Sequence, residues 1–146
     1  MSEPDLPLPF VSVLMPVRNE AAFIARSLGA MLAQDYPHDR YEILVLDGMS
    51  DDATRARVEQ MARTTNLPVR LLDNPARTVP PALNLGIREA RGDIILRMDG
   101  HTEAAPDYVH RCVSALLNTG ADNVGGAVDY VEIGRASCRE RVYGTV

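Results

Sequence analysis

The chain alternates between short apolar runs and longer segments whose apolar residues recur every three or four positions. Apolar runs with little polar alternation are typical of strands buried on both faces of a parallel sheet. We predict five such strands, at residues 11–15, 41–46, 69–72, 94–96 and 123–128. The run at 94–96 has almost no polar alternation, so we expect this strand to be central in the sheet.

Apolar residues at helical spacing predict a helix in each interval between these strands. The predicted helices cover residues 20–34, 52–63, 82–90 and 106–119. Asn19 is expected to cap the first helix, and Ser50 or Asp51 the second. The third helix should begin only after Pro81, because proline lacks the backbone N–H that a helix interior uses. Gly120 is the expected C-terminal cap of the fourth helix.

Strands that alternate with helices at short intervals are typical of an α/β fold with a mostly parallel sheet, right-handed crossovers and helices on both faces. The length of 146 residues fits one domain with a sizeable core. Residues 1–9 are rich in proline and acidic residues, and we expect an extended lead-in there. Residues 10–131 form the predicted domain.

Residues 132–146 show neither the strand period nor the helix period, and they hold three arginines against two acids. The run Glu132–Val142 resembles a sequencing adapter translated in one frame. We therefore expect this tail to be foreign to the domain, with the natural gene diverging at about residue 131, so that the chain is a truncated N-terminal part. The alternative is a short basic C-terminal helix.

Composition excludes several classes of protein. The net charge is −5 and no arginine-rich face is evident, which disfavours a nucleic-acid partner. All 15 basic residues are arginine, so a Walker-type phosphate loop, a Schiff base and a lysine general base are excluded. Two cysteines indicate a reducing compartment, and no signal peptide or membrane span is evident. We expect a cytoplasmic protein.

Acidic and polar residues follow the predicted strands at the point where each strand ends. In open α/β sheets, ligands bind beyond the carboxyl ends of the strands. This edge should carry the following residues: Arg18, Glu20, Asp47, Asp73, Arg77, Asp99 and His101. With only Arg18 and Arg77 as reliable cations, this set suits a diphosphate bridged by a divalent metal, Mn²⁺ or Mg²⁺, better than a bare diphosphate.

Several of these residues also have a plainer interpretation. Asp99 and its neighbours could be an acidic loop that caps the following helix, and Asp47 could cap the helix after its strand. Because Ser50 and Asp51 already supply a cap there, we favour a nucleotide contact for Asp47. Glu20 could be a partner of the helix dipole, and Arg77 could simply be solvated.

Four motifs in this order resemble the nucleotide-sugar half of a family 2 glycosyltransferase of the GT-A type. They are VSVLMPVRNE at 11–20, VLDGMSDDAT at 45–54, NLGIREARGD at 84–93 and RMDGH at 97–101. The resemblance covers about residues 10–130. The DGH motif, with PDYV at 106–109, is most similar to bacterial exopolysaccharide transferases of the succinoglycan type.

The resemblance implies roles for particular residues. Pro16, Glu20 and Asp47 would line the base and ribose pocket. Asn84 and Arg88 would border the donor site. Asp99 would begin the family's Asp-x-Asp metal motif, in which His101 replaces the second aspartate. Histidine also binds manganese, so we expect Asp99 and His101 to be the metal ligands.

The resemblance also implies an activity. Such an enzyme transfers a sugar from a nucleotide-diphosphate sugar to a glycan or lipid-linked acceptor, usually with inversion, in polysaccharide biosynthesis. A carboxylate base would deprotonate the acceptor hydroxyl, and we expect that base beyond residue 131. The full-length protein would work at the cytoplasmic face of the inner membrane.

Three other functions compete with a glycosyltransferase as interpretations of the sequence. A nucleotidyltransferase would need a glycine-rich loop after the first strand, which Pro16–Glu20 lacks. A receiver-type signalling domain would need an acidic pair there and a lysine late in the sheet. A non-catalytic nucleotide-binding domain is the third alternative, and it would describe a truncated chain literally.

Overall fold

The computed structural model describes residues 7–129 and 138–141. Seven strands and four helices follow one another in the described ranges. In chain order they are β1 (Val11–Val17), α1 (Ile24–Leu32), β2 (Tyr41–Asp47), α2 (Thr54–Arg63), β3 (Val69–Asp73), α3 (Val79–Glu89), β4 (Ile94–Arg97), β5 (Thr102–Ala104), α4 (Tyr108–Thr119), β6 (Ala127–Asp129) and β7 (Cys138–Arg141). The predicted α/β class is confirmed.

Four strands form a fully parallel sheet in the order β3-β2-β1-β4. β1 pairs with β2 from Val11 opposite Tyr41 to Val17 opposite Asp47, and with β4 on its other side. Since all four strands run in the same direction, their carboxyl ends meet at one edge. The loops that the sequence placed together therefore do lie together.

Helices cover both faces of this sheet, as predicted. Odd-numbered residues of β1 and β2, such as Val13 and Ile43, pack with α1, α2 and α4 on one face. Even-numbered residues, such as Leu14 and Leu44, pack with α3 on the other. This strict alternation follows from the two-residue period of a strand. Because helices cover both faces of the sheet, every residue of β1 and β2 is buried.

The prediction that the run at 94–96 is a central strand was wrong. β4 lies at the end of the four-stranded sheet, and among the described residues it pairs only with β1. Ile95 in this strand is 43% exposed. An apolar run has the same appearance in a central strand and in an edge strand, because pairing order is not a local property.

Three predicted helix starts were also wrong. α2 begins at Thr54, and neither Ser50 nor Asp51 caps it. α3 begins at Val79 rather than Ala82, with Pro80 and Pro81 in its first turn, where a missing N–H costs nothing. α1 begins at Ile24, and Asn19 adopts a left-handed backbone (φ 49°) instead of capping it. The segments between β1 and α1 and between β3 and α3 therefore form loops at the carboxyl edge of the sheet, where a ligand is expected.

A second, three-stranded sheet joins β5 to β7 in parallel and β7 to β6 in antiparallel orientation. The fifth predicted strand, at 123–128, is shorter than expected and falls at β6. Four residues of the predicted tail form β7 rather than a helix. The rest of that tail, 132–137 and 142–146, and residues 1–6 of the lead-in lie outside the described residues.

Candidate functional site

A groove of about 240 Å³ lies at the carboxyl edge of the parallel sheet. It is bounded by the ends of β1 and β4 and by the loop that leads into α3. Eleven residues line it: Pro16, Val17, Arg18, Glu20, Asn74, Arg77, Thr78, Val79, Arg97, Asp99 and His101. Its position is the one expected for a ligand site in an open α/β sheet.

The loops after β1 and β2 are joined by hydrogen bonds in which side chains of one loop accept backbone N–H groups of the other. Asn19 N–H donates to Ser50 Oγ (2.9 Å), and Asp51 N–H donates to Asn19 Oδ1 (2.9 Å). Glu20 N–H donates to Thr54 Oγ1 (2.9 Å). The two loops therefore form one unit, which fixes the backbone that carries Glu20.

Asp52 belongs to the same unit. It accepts hydrogen bonds from the Thr54 hydroxyl (2.5 Å) and from Ala21 N–H (3.2 Å). The Thr54 hydroxyl in particular holds the pKa of Asp52 below its ordinary value, because a hydrogen bond donated to a carboxylate stabilises the ionised form. Asp52 thus stays charged at neutral pH.

Asp47 is fully buried and is not among the groove-lining residues. Its carboxylate accepts Ser50 Oγ–H (2.5 Å), Ser50 N–H (3.2 Å) and Arg55 Nη1–H (2.8 Å). Arg55 also lies 2.6 Å from Asp73, which is 61% exposed. The two carboxylates, Asp47 foremost, raise the pKa of the Arg55 guanidinium.

Gly48 brings the loops that carry Arg18 and Arg77 close together. A Cβ at this position would lie 3.0 Å from the carbonyl oxygen of Arg77 and 3.3 Å from Cβ of Arg18. Arg18 Nη1–H also donates to the Gly48 carbonyl (3.0 Å). A larger residue here would push the two arginine loops apart.

The Arg77 loop is held by a buried asparagine. Asn74 is 4% exposed, and its Nδ2–H donates to the Thr78 carbonyl (2.9 Å). Asn74 N–H donates to the Asp47 carbonyl (2.8 Å), and Arg77 N–H donates to the Asn74 carbonyl (3.1 Å). Arg77 adopts a left-handed backbone (φ 66°), an uncommon conformation for a residue with a side chain.

The loop after β4 reaches the groove through a close contact at Gly100. A Cβ there would lie 2.7 Å from Cγ1 of Val17 and 3.2 Å from Cγ of Glu20. The Gly100 carbonyl accepts the hydroxyl of buried Ser27 (2.7 Å). This arrangement brings His101 Nδ1 to 3.3 Å from Glu20 Oε1.

The groove gathers six of the residues predicted for the site: Pro16, Arg18, Glu20, Arg77, Asp99 and His101. Asp47 lies beneath it, and Asn84 and Arg88 are exposed on α3 without lining it. The expectation of only two cations was wrong. Arg97 adds a third arginine from β4, so the arginines outnumber the carboxylates of Glu20 and Asp99.

Arg97 and Asn74 were missed in the sequence. Arg97 precedes Asp99 by two positions, so the two-residue period of a strand was enough to place it on the same side. Asn74 gave no comparable signal, since its role depends on a carbonyl four residues away in a folded loop.

The donor atoms in the groove suit a divalent metal in type but do not by themselves complete a site. Within residues 7–129 and 138–141, no group of three or more His, Cys, Asp or Glu residues is arranged to hold a metal ion. Asp99 and His101 both line the groove, so a carboxylate and an imidazole are available there. Metals that bind diphosphates commonly take one or two protein ligands and complete their shell with phosphate oxygens and water.

Comparison with known proteins decides the family. The sequence profile named "Glycosyl transferase family 2" matches residues 12–142. The chain belongs to this family. It is 35% identical over 134 residues to "Glycosyltransferase AglE" of Haloferax volcanii, covering 92% of this chain. It is 32% identical over 133 residues to "Succinoglycan biosynthesis protein ExoA" of Rhizobium meliloti, covering 90% of this chain.

Two solved structures share the fold. The mannosyltransferase PcManGT of Pyrobaculum calidifontis, in complex with GDP-Man and Mn²⁺, aligns with 87% of this chain at 33% identity and a TM-score of 0.69. TarS 1–349 of Staphylococcus aureus, in complex with UDP, aligns with 86% at 23% identity and a TM-score of 0.74. The predicted GT-A fold is confirmed.

The chain spans less than half of these relatives. It covers 44% of AglE, 40% of the succinoglycan protein, 36% of the PcManGT chain and 37% of the TarS chain. No helix in the described part of the chain is long and apolar enough to cross a bilayer.

Proposed function

We propose that this family 2 chain binds a nucleotide-diphosphate sugar in the groove at the carboxyl edge of its sheet, for transfer of the sugar to an acceptor. The observation that carries the proposal is the composition of that groove. Three arginines lie there with Asp99 and His101, so cationic groups and metal-ligand groups surround one space of about 240 Å³. Arginines and metal ions are both partners that bind diphosphates in proteins.

Arg18 and Arg77 are the proposed diphosphate contacts. Both are exposed at the groove, and Gly48 and Asn74 hold their loops in place. Guanidinium groups bind phosphate oxygens through paired, charge-assisted hydrogen bonds. Pro16 and Glu20 would contact the nucleoside from the end of β1. Asp47 would act from beneath the groove, where Ser50 and Arg55 set the orientation of its carboxylate.

Asp99 and His101 are the proposed ligands of Mn²⁺ or Mg²⁺. Bound there, the metal would neutralise phosphate charge and stabilise the diphosphate as it leaves. His101 is half exposed and lies against Glu20, so its imidazole is accessible from the groove. The structure of PcManGT in complex with GDP-Man and Mn²⁺ supports the choice of metal.

The proposed reaction is an inverting displacement. An acceptor hydroxyl oxygen forms a bond to the anomeric carbon while the bond from that carbon to the diphosphate oxygen breaks, and a carboxylate base takes the hydroxyl proton. We assign no base within residues 10–131. The acceptor would be a glycan or a lipid-linked glycan at the cytoplasmic face of a membrane, in a polysaccharide pathway, in keeping with the name of the succinoglycan relative.

A second candidate is donor binding without turnover. It is favoured by one observation, that the groove holds groups able to bind a donor while we assign no base within residues 10–131. Donor binding is common to both candidates. The two differ only in whether sugar is released from the donor.

Calorimetric titration of the 146-residue chain with UDP, GDP, TDP and UDP-glucose, with and without Mn²⁺, tests the proposal. We expect one diphosphate to bind with Mn²⁺ present, and Asp99→Ala to abolish that binding without changing the circular dichroism spectrum. Asp107→Ala is the matched control, since Asp107 has the same 39% side-chain exposure and also pairs with an arginine. A folded chain that binds none of these ligands would overturn the proposal.

A further inference from the structure

The carboxylate that begins the metal motif already has a cationic partner. Arg97 Nε lies 3.1 Å from Asp99 Oδ1. The two residues are two positions apart in an extended segment, so their side chains leave the backbone on the same side. Met98 between them is 1% exposed and points into the core. The backbone of this pair is therefore fixed while both side chains lie at the surface.

Arg97 is also free to reach other partners. Its side chain is 53% exposed, and it lines a second groove of about 410 Å³ beside β4 as well as the site groove. In the described chain, Asp99 is the ion-pair partner found for Arg97. An exposed pair of this kind is weakly held, so another ligand can displace it.

One carboxylate cannot serve Arg97 and a divalent cation equally well. A bound metal draws electron density from the carboxylate oxygens and repels a nearby guanidinium. A diphosphate on that metal would, in turn, place new anionic oxygens next to Arg97. The two partners of Asp99 therefore compete for its negative charge, and an arginine released from Asp99 would gain a phosphate.

We infer that Arg97 is a donor-binding residue that occupies Asp99 until metal and diphosphate arrive, and then transfers from the Asp99 carboxylate to the diphosphate. The inference rests on the proposed function and adds to it a third arginine with two opposing roles. Arg97 weakens metal binding when no nucleotide is present, and it strengthens nucleotide binding when metal is present. A purely structural arginine would do neither.

The test is Arg97→Gln in the 146-residue chain, with two separate measurements. Electron paramagnetic resonance of free Mn²⁺ measures metal affinity without nucleotide, and we expect it to rise about two- to fivefold, since an exposed ion pair is lost. Calorimetry at saturating Mn²⁺ measures affinity for whichever of UDP and GDP the unaltered chain binds. We expect it to fall about tenfold, since a charge-assisted hydrogen bond is lost.

Arg111→Gln is the matched control. Arg111 pairs with Asp107 at 2.6 Å on α4, with side-chain exposures of 59% and 39%, against 53% and 39% for Arg97 and Asp99. We expect no change in either affinity. Arg97→Lys keeps the charge and should restore part of the nucleotide affinity.

Opposite movement of the two affinities supports the inference. Equal movement in the same direction, no movement, or the same response from Arg111→Gln would overturn it while leaving the proposed function in place. If the unaltered chain binds no diphosphate with Mn²⁺, the proposed function fails and the inference fails with it.

Discussion

The guanidinium of Arg55 lies 2.8 Å from the carboxylate of Asp47, and that carboxylate has no exposed surface. A buried charge needs a partner, because removal from water costs several kcal/mol per ion. Arg55 supplies it from the first turns of α2, and so joins that helix to the end of β2. The pair therefore contributes to stability and also fixes a side chain beneath the candidate site.

Arg55→Met is expected to lower the free energy of unfolding at pH 7 by about 2 kcal/mol, between the values for exposed and for buried ion pairs. The reason is that Asp47 would keep its burial and lose its cation. Urea denaturation followed by circular dichroism measures the change. Arg63→Met, at an exposed position on the same helix, is the control and should change stability little. Equal losses in both variants would contradict this explanation.

Gly100→Ala is expected to disturb the metal-motif loop. The new methyl group would lie 2.7 Å from Val17, a strand side chain that cannot move away cheaply. We expect a loss of about 2 kcal/mol in stability, as for other overpacked sites, and weaker Mn²⁺-dependent diphosphate binding. Gly125→Ala is the control, since nothing lies within 4 Å of its added Cβ. Unchanged binding in Gly100→Ala would contradict the placement of this loop.

Glu42→Gln should lower the stability of the fold without changing its affinity for the donor. Glu42 is 1% exposed near the start of β2, at the opposite edge of the sheet from the groove. It accepts Ser12 Oγ–H (2.7 Å) and Arg91 N–H (2.8 Å), and Arg70 lies at 3.4 Å. Loss of charge-assisted hydrogen bonds should cost about 2 kcal/mol. Donor affinity measured by calorimetry should not change. A selective loss of affinity in a fully folded variant would contradict the prediction.

Ionisation of Tyr41 is expected to lower the free energy of unfolding at alkaline pH. Burial raises its pKa to about 12, and its hydroxyl donates to the Met31 carbonyl (2.9 Å). The folded state then holds a proton that the unfolded state releases from about pH 10. The contribution of Tyr41 is full below pH 10 and is lost as the pH rises from about 10 to about 12.

Thermal unfolding followed at pH 8 to 11 checks this. The melting temperature of the unaltered chain should fall more steeply above pH 10 than that of Tyr41→Phe. Tyr36 also has a raised pKa, chiefly through burial, so some alkaline dependence should remain in the variant. Identical slopes for the two proteins would contradict the role of Tyr41.

The sequence by itself determined the fold class and the edge of the sheet at which a site is expected. Apolar runs such as Tyr41–Leu46 and helical spacing in between are local properties, and parallel strands must bring their carboxyl ends together. The motifs at 11–20 and 97–101 also determined the family, which the match over residues 12–142 confirmed. These signals needed no knowledge of which residues touch.

Only the tertiary structure decided what depends on contacts between distant segments. It placed β4 at an edge, buried Asp47 beneath Arg55, and brought Arg97 into the groove as the ion-pair partner of Asp99. Strand order and ion pairing depend on the three-dimensional packing of segments that lie far apart in the chain. For that reason the sequence named several charged residues that line the groove but could not show that Arg97 joins them.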